Sequence, residues 1–282
     1  MKSVHLPRNM EDLWLIMEQE TNARVYCGGT DLLVQMRSCE VDPPVLICLE
    51  RIADIQGIRE EPDSLWIGAG TTHTNLLSHP LSRRCLPVLA KALGTLGSPL
   101  IRNMGTIGGN ICSASPAADT LPPLYVLDAE VELRSRDTIR VMPLCEFITG
   151  PGETRLERGE ILTGIRVKNG EGYNLHHFEK IGQRRALACA IASLAAMLHV
   201  SSSGVVKAAR LAWGSVGPMV VTSTKVEGAI IGENLSRKTL EKAADLAQRA
   251  VSPIDDVRAS ADYRRIVSGN LLLRLLDARP QI

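Results

Sequence analysis

A fold that mixes short strands with helices, spread over two or three modest subdomains, is what this sequence predicts. Three observations carry that expectation. The 282 residues exceed one average domain. Apolar runs of strand length recur along the chain and end on glycine or proline turns. Towards the C-terminus, two longer segments repeat their apolar residues at helical spacing.

Taken in order, Asn9 precedes a helical run over residues 10–17 and reads as an N-cap, with Glu11 and Asp12 in the first turn. Residues 23–27 form a short strand ending on Gly28-Gly29, and residues 31–36 read as a helical turn or two. A buried strand follows at residues 45–49, behind the breakers Pro43-Pro44; residues 64–70 have strand character before a turn at 71–74. A helix over residues 87–93 ends at Gly94 and Gly97, and the glycine-rich stretch after it is expected to lack regular structure. Residues 129–134 alternate apolar and polar as a half-buried strand does, with 138–144 as hairpin partner and 161–167 as a further strand. A boundary falls near Asn169-Gly170-Glu171-Gly172. Beyond it, residues 173–181, 187–200 and 205–213 read as strands of a second sheet, the alanine-rich middle one being also compatible with a helix. Amphipathic helices over 240–251 and 261–276 follow.

Two glycine-centred segments carry the candidate chemistry. The first is Val25-Tyr26-Cys27-Gly28-Gly29-Thr30-Asp31-Leu32; the second runs from Arg102 through Gly105-Thr106-Ile107-Gly108-Gly109-Asn110 to Asp119. Glycine lets the main chain approach a ligand and take positive φ, so that successive N–H groups converge on an anion. Two such loops invite the idea of one diphosphate held from both sides. Neither has the Walker A pattern or Gly-x-Gly-x-x-Gly, which disfavours a P-loop and a standard dinucleotide-binding βαβ unit. Asp31 and Asp119 have an ordinary alternative as helix or turn caps, and Lys180 as a solvated strand charge. Arg184-Arg185 reads as surface charge, with a phosphate or a partner subunit as the alternative contact.

Composition narrows the function classes. With 32 lysines and arginines against 31 acidic residues, and no basic stripe, nothing points to nucleic acid. The N-terminal residues lack an apolar h-region, and the longest apolar stretch, 187–200, is too short to span a bilayer, so a cytoplasmic protein without a membrane span is expected. The seven cysteines are scattered without a Cys-x-x-Cys pair, and the six histidines show no metal spacing, which disfavours iron–sulfur or zinc ligation in this chain. Most of these cysteines are expected to be buried small hydrophobes. No Gly-x-Ser-x-Gly elbow and no Ser/His/Asp or Cys/His set supports hydrolysis. A chain that cradles a ligand but offers no acid, base or nucleophile leaves the chemistry to the ligand.

The stretch Ile101-Arg102-Asn103-Met104-Gly105-Thr106-Ile107-Gly108-Gly109-Asn110-Ile111-Cys112-Ser113-Ala114-Ser115-Pro116-Ala117-Ala118-Asp119 resembles the Ile-Arg-Asn-x-x-Thr-Ile-Gly-Gly-Asn signature of the FAD-binding medium subunits of molybdenum hydroxylases, followed by their Asp. Gly28-Gly29-Thr30-Asp31-Leu32 is similar to the first FAD loop of that family, and Gly150-Pro151-Gly152 and Ser260-Ala261-Asp262-Tyr263-Arg264 fit further positions. The similarity covers essentially the whole chain. It implies an α+β fold: a two-subdomain FAD-binding domain of the vanillyl-alcohol-oxidase/PCMH type over residues 1–170 (subdomains about 1–58 and 59–170), and a smaller α+β domain over 171–282.

By the same resemblance, Val25, Tyr26, Cys27, Gly28, Gly29, Thr30, Asp31 and Leu32 wrap the diphosphate and ribityl region of FAD. Thr106, Ile107, Gly108, Gly109 and Asn110 grip it from the other side, Asp119 binds a ribose or neighbouring hydroxyl, Leu162 lines the flavin or adenine, and Lys180 approaches the isoalloxazine. Leu96 stands where several relatives place an aromatic residue against the flavin. The implied role is electron transfer from [2Fe-2S] clusters of a small subunit, themselves fed by a molybdenum-cofactor large subunit, through FAD to NAD+ or another acceptor. A free-standing FAD oxidoreductase and a non-redox nucleotide-binding module remain as alternatives.

Overall fold

The computed structural model describes residues 3–168, 172–184 and 187–278; Asn169, Gly170 and Glu171 of the expected boundary, and Arg185, lie outside the described residues. The chain forms two compact units whose segments interleave. The first takes Met1–His79, Ser98–Ala114 and Ala129–Lys168; the second takes Pro80–Gly97, Ser115–Asp128 and Asn169–Ile282.

The first unit begins with β1 (Ser3–His5), α1 (Met10–Gln19), β2 (Ala23–Tyr26), α2 (Leu32–Arg37) and β3 (Val45–Cys48), which build a parallel sheet of order β1-β3-β2. Asn9 caps α1 as expected, its side chain accepting the Asp12 N–H at 2.8 Å, a contact worth about 1 kcal/mol. Met10, Leu13 and Trp14 of α1 are buried with Ile47 and Leu49. The chain continues through β4 (Ile58–Glu60), β5 (Ser64–Gly68) and α3 (His73–Ser78), then enters the second unit as α4 (Pro80–Cys85) and α5 (Pro87–Thr95). It returns as α6 (Pro99–Met104) and α7 (Ile107–Ser113), leaves again as α8 (Leu121–Val126), and comes back with β6 (Glu130–Arg134), β7 (Ile139–Pro143), α9 (Leu144–Phe147), β8 (Ile148–Gly150), β9 (Glu153–Thr154) and β10 (Ile161–Lys168). β4-β5-β10-β6-β7 form an antiparallel five-stranded sheet.

In the second unit, β11 (Leu175–Ile181), β12 (Ala192–Val200), β13 (Val206–Gly214) and β14 (Val221–Thr222) form an antiparallel sheet in that order. The chain then runs through α10 (Thr224–Ile230), α11 (Arg237–Ala250) and α12 (Ala261–Leu273). The alanine-rich segment is a strand, and its place explains why. β12 is central in its sheet, with α8 and α12 both packed on it, so small side chains let them approach a strand buried almost throughout.

Four expectations are corrected here. The stretch after Gly97 is helical: Ser98 caps α6 ahead of Pro99, and Thr106 caps α7. The turn at 71–74 is the start of α3, capped by Thr72, and α5 runs through Gly94 to Thr95 before Gly97 turns left-handed at φ +47°. Of the cysteines only Cys48 is buried; Cys39, Cys145 and Cys189 are exposed and the other three half-buried.

Two family-like motifs have structural duties. Ser260 caps α12, and the buried Arg264 donates to the carbonyls of Ile191 (2.7 Å) and Ser215 (2.9 Å) and to Asp256 (2.7 Å). Gly152 takes φ +73° in the β8–β9 turn, and its N–H donates to the Ala114 carbonyl at 3.1 Å.

Candidate functional site

Val25 and Tyr26 are the last residues of β2; the Tyr26 carbonyl accepts the Leu49 N–H at 2.8 Å, anchoring the strand where it leaves the sheet. Gly29 then takes φ +68°, a conformation that favours glycine. The five successive N–H groups from Gly28 to Leu32 donate to no other described residue; donation resumes at Leu33, to the Gly29 carbonyl at 3.1 Å. Buried backbone N–H groups are nearly always paired, whereas Gly28, Gly29 and Thr30 are half-buried and Asp31 is exposed, open to a ligand or solvent. A run of five free ones, bent by a left-handed residue into the start of α2, is a concavity suited to an anion. Asp31 occupies the N-cap position of α2 without capping it: its Oδ2 accepts from the Ser113 hydroxyl at 2.7 Å, tying the loop to the end of α7.

The second glycine segment lies against the first. A Cβ on Gly28 would sit 1.8 Å from the Met104 carbonyl oxygen, and one on Gly105 would meet the His73 ring at 3.2 Å and the Thr30 hydroxyl at 3.3 Å. The amides from Ile107 to Asn110 are already committed, contrary to the expectation that both loops offer theirs. Ile107 donates to the Thr71 carbonyl (3.1 Å), Gly108 to that of Ala69 (2.8 Å), Gly109 to the Thr106 hydroxyl (3.2 Å) and Asn110 to the Thr106 carbonyl (3.0 Å). The Ile107 and Gly108 bonds fasten α7 to the exit of β5. The first loop thus supplies donors, and the second supplies a rigid wall. Gly108 is demanded by packing, since a Cβ there would lie 2.5 Å from that of Ala69. Gly109 is exposed and would meet only the Thr106 hydroxyl, at 3.0 Å.

The thiols nearby are inert. Burial, with Cys48 adjacent, pushes Cys27 up to about 11 despite a hydrogen bond with Thr106, and burial pushes Cys112 up to about 12. Neither is a thiolate at neutral pH. Leu162 is buried in β10, opposite Leu133, beside a bulge before Gly164.

Asp119 and Lys180 belong to the second unit, and both ordinary readings of them are corrected. Thr120, not Asp119, occupies the N-cap position of α8. Lys180 Nζ pairs with Asp119 Oδ2 at 2.5 Å, with side-chain exposures of 10% and 8%, so the lysine is no solvated strand charge. Asp119 Oδ1 is buried without a partner. Burial holds the Asp119 carboxyl above the usual range even though Lys180 pulls it down.

Sequence reasoning missed His73, which donates its N–H to the Gly105 carbonyl at 2.9 Å and packs its ring on that glycine. The Thr72 cap directly before it was the available signal. Among the described residues no cluster of three His, Cys, Asp or Glu side chains could hold a metal, and no helix is long and apolar enough to cross a membrane.

Comparison with known proteins matches the chain to a family. Residues 1–168 fit the FAD binding domain in molybdopterin dehydrogenase, and residues 177–278 fit the CO dehydrogenase flavoprotein C-terminal domain. The chain is 31% identical to the carbon monoxide dehydrogenase medium chain of Hydrogenophaga pseudoflava, over 97% of this chain and 95% of the relative. It is also 31% identical to the xanthine dehydrogenase FAD-binding subunit of Escherichia coli O157:H7, over 93% and 90%. A solved structure of the Hydrogenophaga pseudoflava carbon monoxide dehydrogenase, in a form lacking the Mo-pyranopterin moiety, superposes with a TM-score of 0.92 at 30% identity, covering 98% of this chain and 96% of that one. On these matches, the chain belongs to the FAD-binding subunits of the molybdenum hydroxylase family.

Proposed function

We propose that this chain is the electron-transfer subunit of a cytoplasmic molybdenum hydroxylase. Electrons from a molybdenum-cofactor large subunit and a [2Fe-2S] small subunit leave the enzyme here, to NAD+ or another acceptor. Bound FAD supplies the chemistry, accepting electrons singly and releasing them as a pair. The observation that carries this reading is the run of unpaired amides from Gly28 to Leu32, which fits a diphosphate with no cation spent on it. In this reading Val25 to Leu32 hold the diphosphate and ribityl chain, while Thr106 to Asn110 back them. Leu162 covers an apolar part of the cofactor, Asp119 offers a carboxylate to it, and Lys180 places its ammonium near the isoalloxazine. The residues 1–170 and 171–282 are the corresponding domains in chain order.

Gly109→Asp tests the diphosphate assignment. Aspartate in the first turn of α7 is compatible with the helix and favourable to its dipole by about 0.5 kcal/mol. The same charge beside a diphosphate repels it. The melting temperature is therefore expected to hold while the FAD bound per chain falls at least tenfold; full retention of FAD would remove the assignment. Gly108→Asp discriminates less well, because Ala69 rejects any side chain there. For the assembly, iron, molybdenum and flavin are to be measured on the native complex. All three co-eluting is the expected result, and an active metal-free monomer would favour the free-standing oxidoreductase.

A further inference from the structure

Among the described residues, Lys180 and Asp119 form a buried ion pair with a candidate cofactor residue at both ends. Nζ and Oδ2 are 2.5 Å apart, both side chains are about nine-tenths buried, and the other carboxylate oxygen has no partner. The two residues come from distant parts of the chain: Asp119 precedes α8, and Lys180 is the penultimate residue of β11. Family resemblance gives each an independent contact with the cofactor, whereas the structure makes them one unit. A buried lysine with a carboxylate at this distance presents almost no net charge to its surroundings, and removing one partner leaves the other's charge uncompensated in a weakly screening interior.

We propose that Asp119 is a positioning residue for Lys180: it fixes the ammonium and cancels its charge, so that the flavin meets a near-neutral pair instead of a free cation. This rests on the reading that Lys180 lies near the isoalloxazine. An uncompensated cation there favours the reduced, negatively charged flavin. Holding that cation in check keeps the flavin able to give its electrons up, so Asp119 governs how readily this subunit passes them on.

The test is the oxidised-to-reduced flavin ratio of the purified holoenzyme, equilibrated with dyes of known potential at alkaline pH, where a carboxylate freed of its partner is ionised. Asp119→Asn is expected to shift the ratio toward reduced flavin by about tenfold, which is about 30 mV for a two-electron couple. Lys180→Gln is expected to shift it the opposite way, and the double variant to return to within about threefold of the parent, since it carries neither charge. Loss of FAD with an unshifted ratio in Asp119→Asn would reduce the aspartate to a structural brace. If Asp119→Asn does not load flavin, Lys180→Gln and the double variant still decide: a double variant that stays where Lys180→Gln lies overturns the proposal. An unshifted ratio in Lys180→Gln instead removes the reading that puts Lys180 near the flavin.

Discussion

Gly28→Ala is expected to cost this protein its cofactor and much of its stability. A methyl group at residue 28 would lie 1.8 Å from the Met104 carbonyl oxygen, 2.6 Å from the carbonyl carbon and 3.1 Å from the Gly105 Cα. All three are backbone atoms, so no rotamer change relieves the clash. Restoring an ordinary contact of 3.4 Å means moving one segment by about 1.6 Å. Such a shift would pull the Gly28–Leu32 amides away from the wall behind them and strain the Ser113–Asp31 hydrogen bond. Overpacking of this kind costs about 3 kcal/mol. FAD affinity is expected to fall tenfold or more, at least about 1.4 kcal/mol. Flavin per chain after gel filtration and the thermal midpoint check both parts. Gly94→Ala is the matched control: that glycine is exposed in α5 with open space around it, so alanine is expected to stabilise by about 0.5 kcal/mol and leave FAD unchanged. A Gly28→Ala protein that keeps its full flavin would show that the two segments do not meet as described.

The place of this junction was readable from the sequence, but its division of labour was not. Gly28 after a strand, and Gly105 before Thr106, mark where the two segments approach, and glycine is demanded there. What the letters did not reveal is which amides stay free. That depends on the carbonyls of Thr71 and Ala69 arriving from another strand exit, a tertiary event with no local signature. The dense glycines also masked two short helices, although Ser98-Pro99 and Thr106 are ordinary caps. The alternating pattern at Glu130–Arg134 was legible because one face is buried and the other half-exposed. Ala192–Val200 was ambiguous because both faces are buried, which erases the period-2 signal that separates strand from helix. The Lys180–Asp119 pair, 61 residues apart, could be approached only as two separate charges.

Acidification is expected to destabilise the folded chain well above the usual carboxylate range, through His73. Its side chain is 3% exposed, its Nδ1 has no partner, and burial together with the nearby Arg102 guanidinium lowers its pKa from 6.5 to about 4. As pH falls below 6.5 the unfolded chain takes up a proton that the folded chain refuses, so stability drops until about pH 4, where the folded histidine also accepts it. The full difference is about 3 kcal/mol, of which about 2 kcal/mol is lost by about pH 5. His176 and His177 are lowered by burial as well and act in the same direction, so a single variant is needed to isolate His73. His73→Leu keeps the backbone N–H that holds the Gly105 carbonyl and removes the titrating ring. Denaturant melts at about pH 7.5 and about pH 5 are expected to differ by about 2 kcal/mol less in His73→Leu than in the parent. Equal pH dependence in the two proteins would place the acid-sensitive proton uptake elsewhere, with His176 and His177 the next groups to replace.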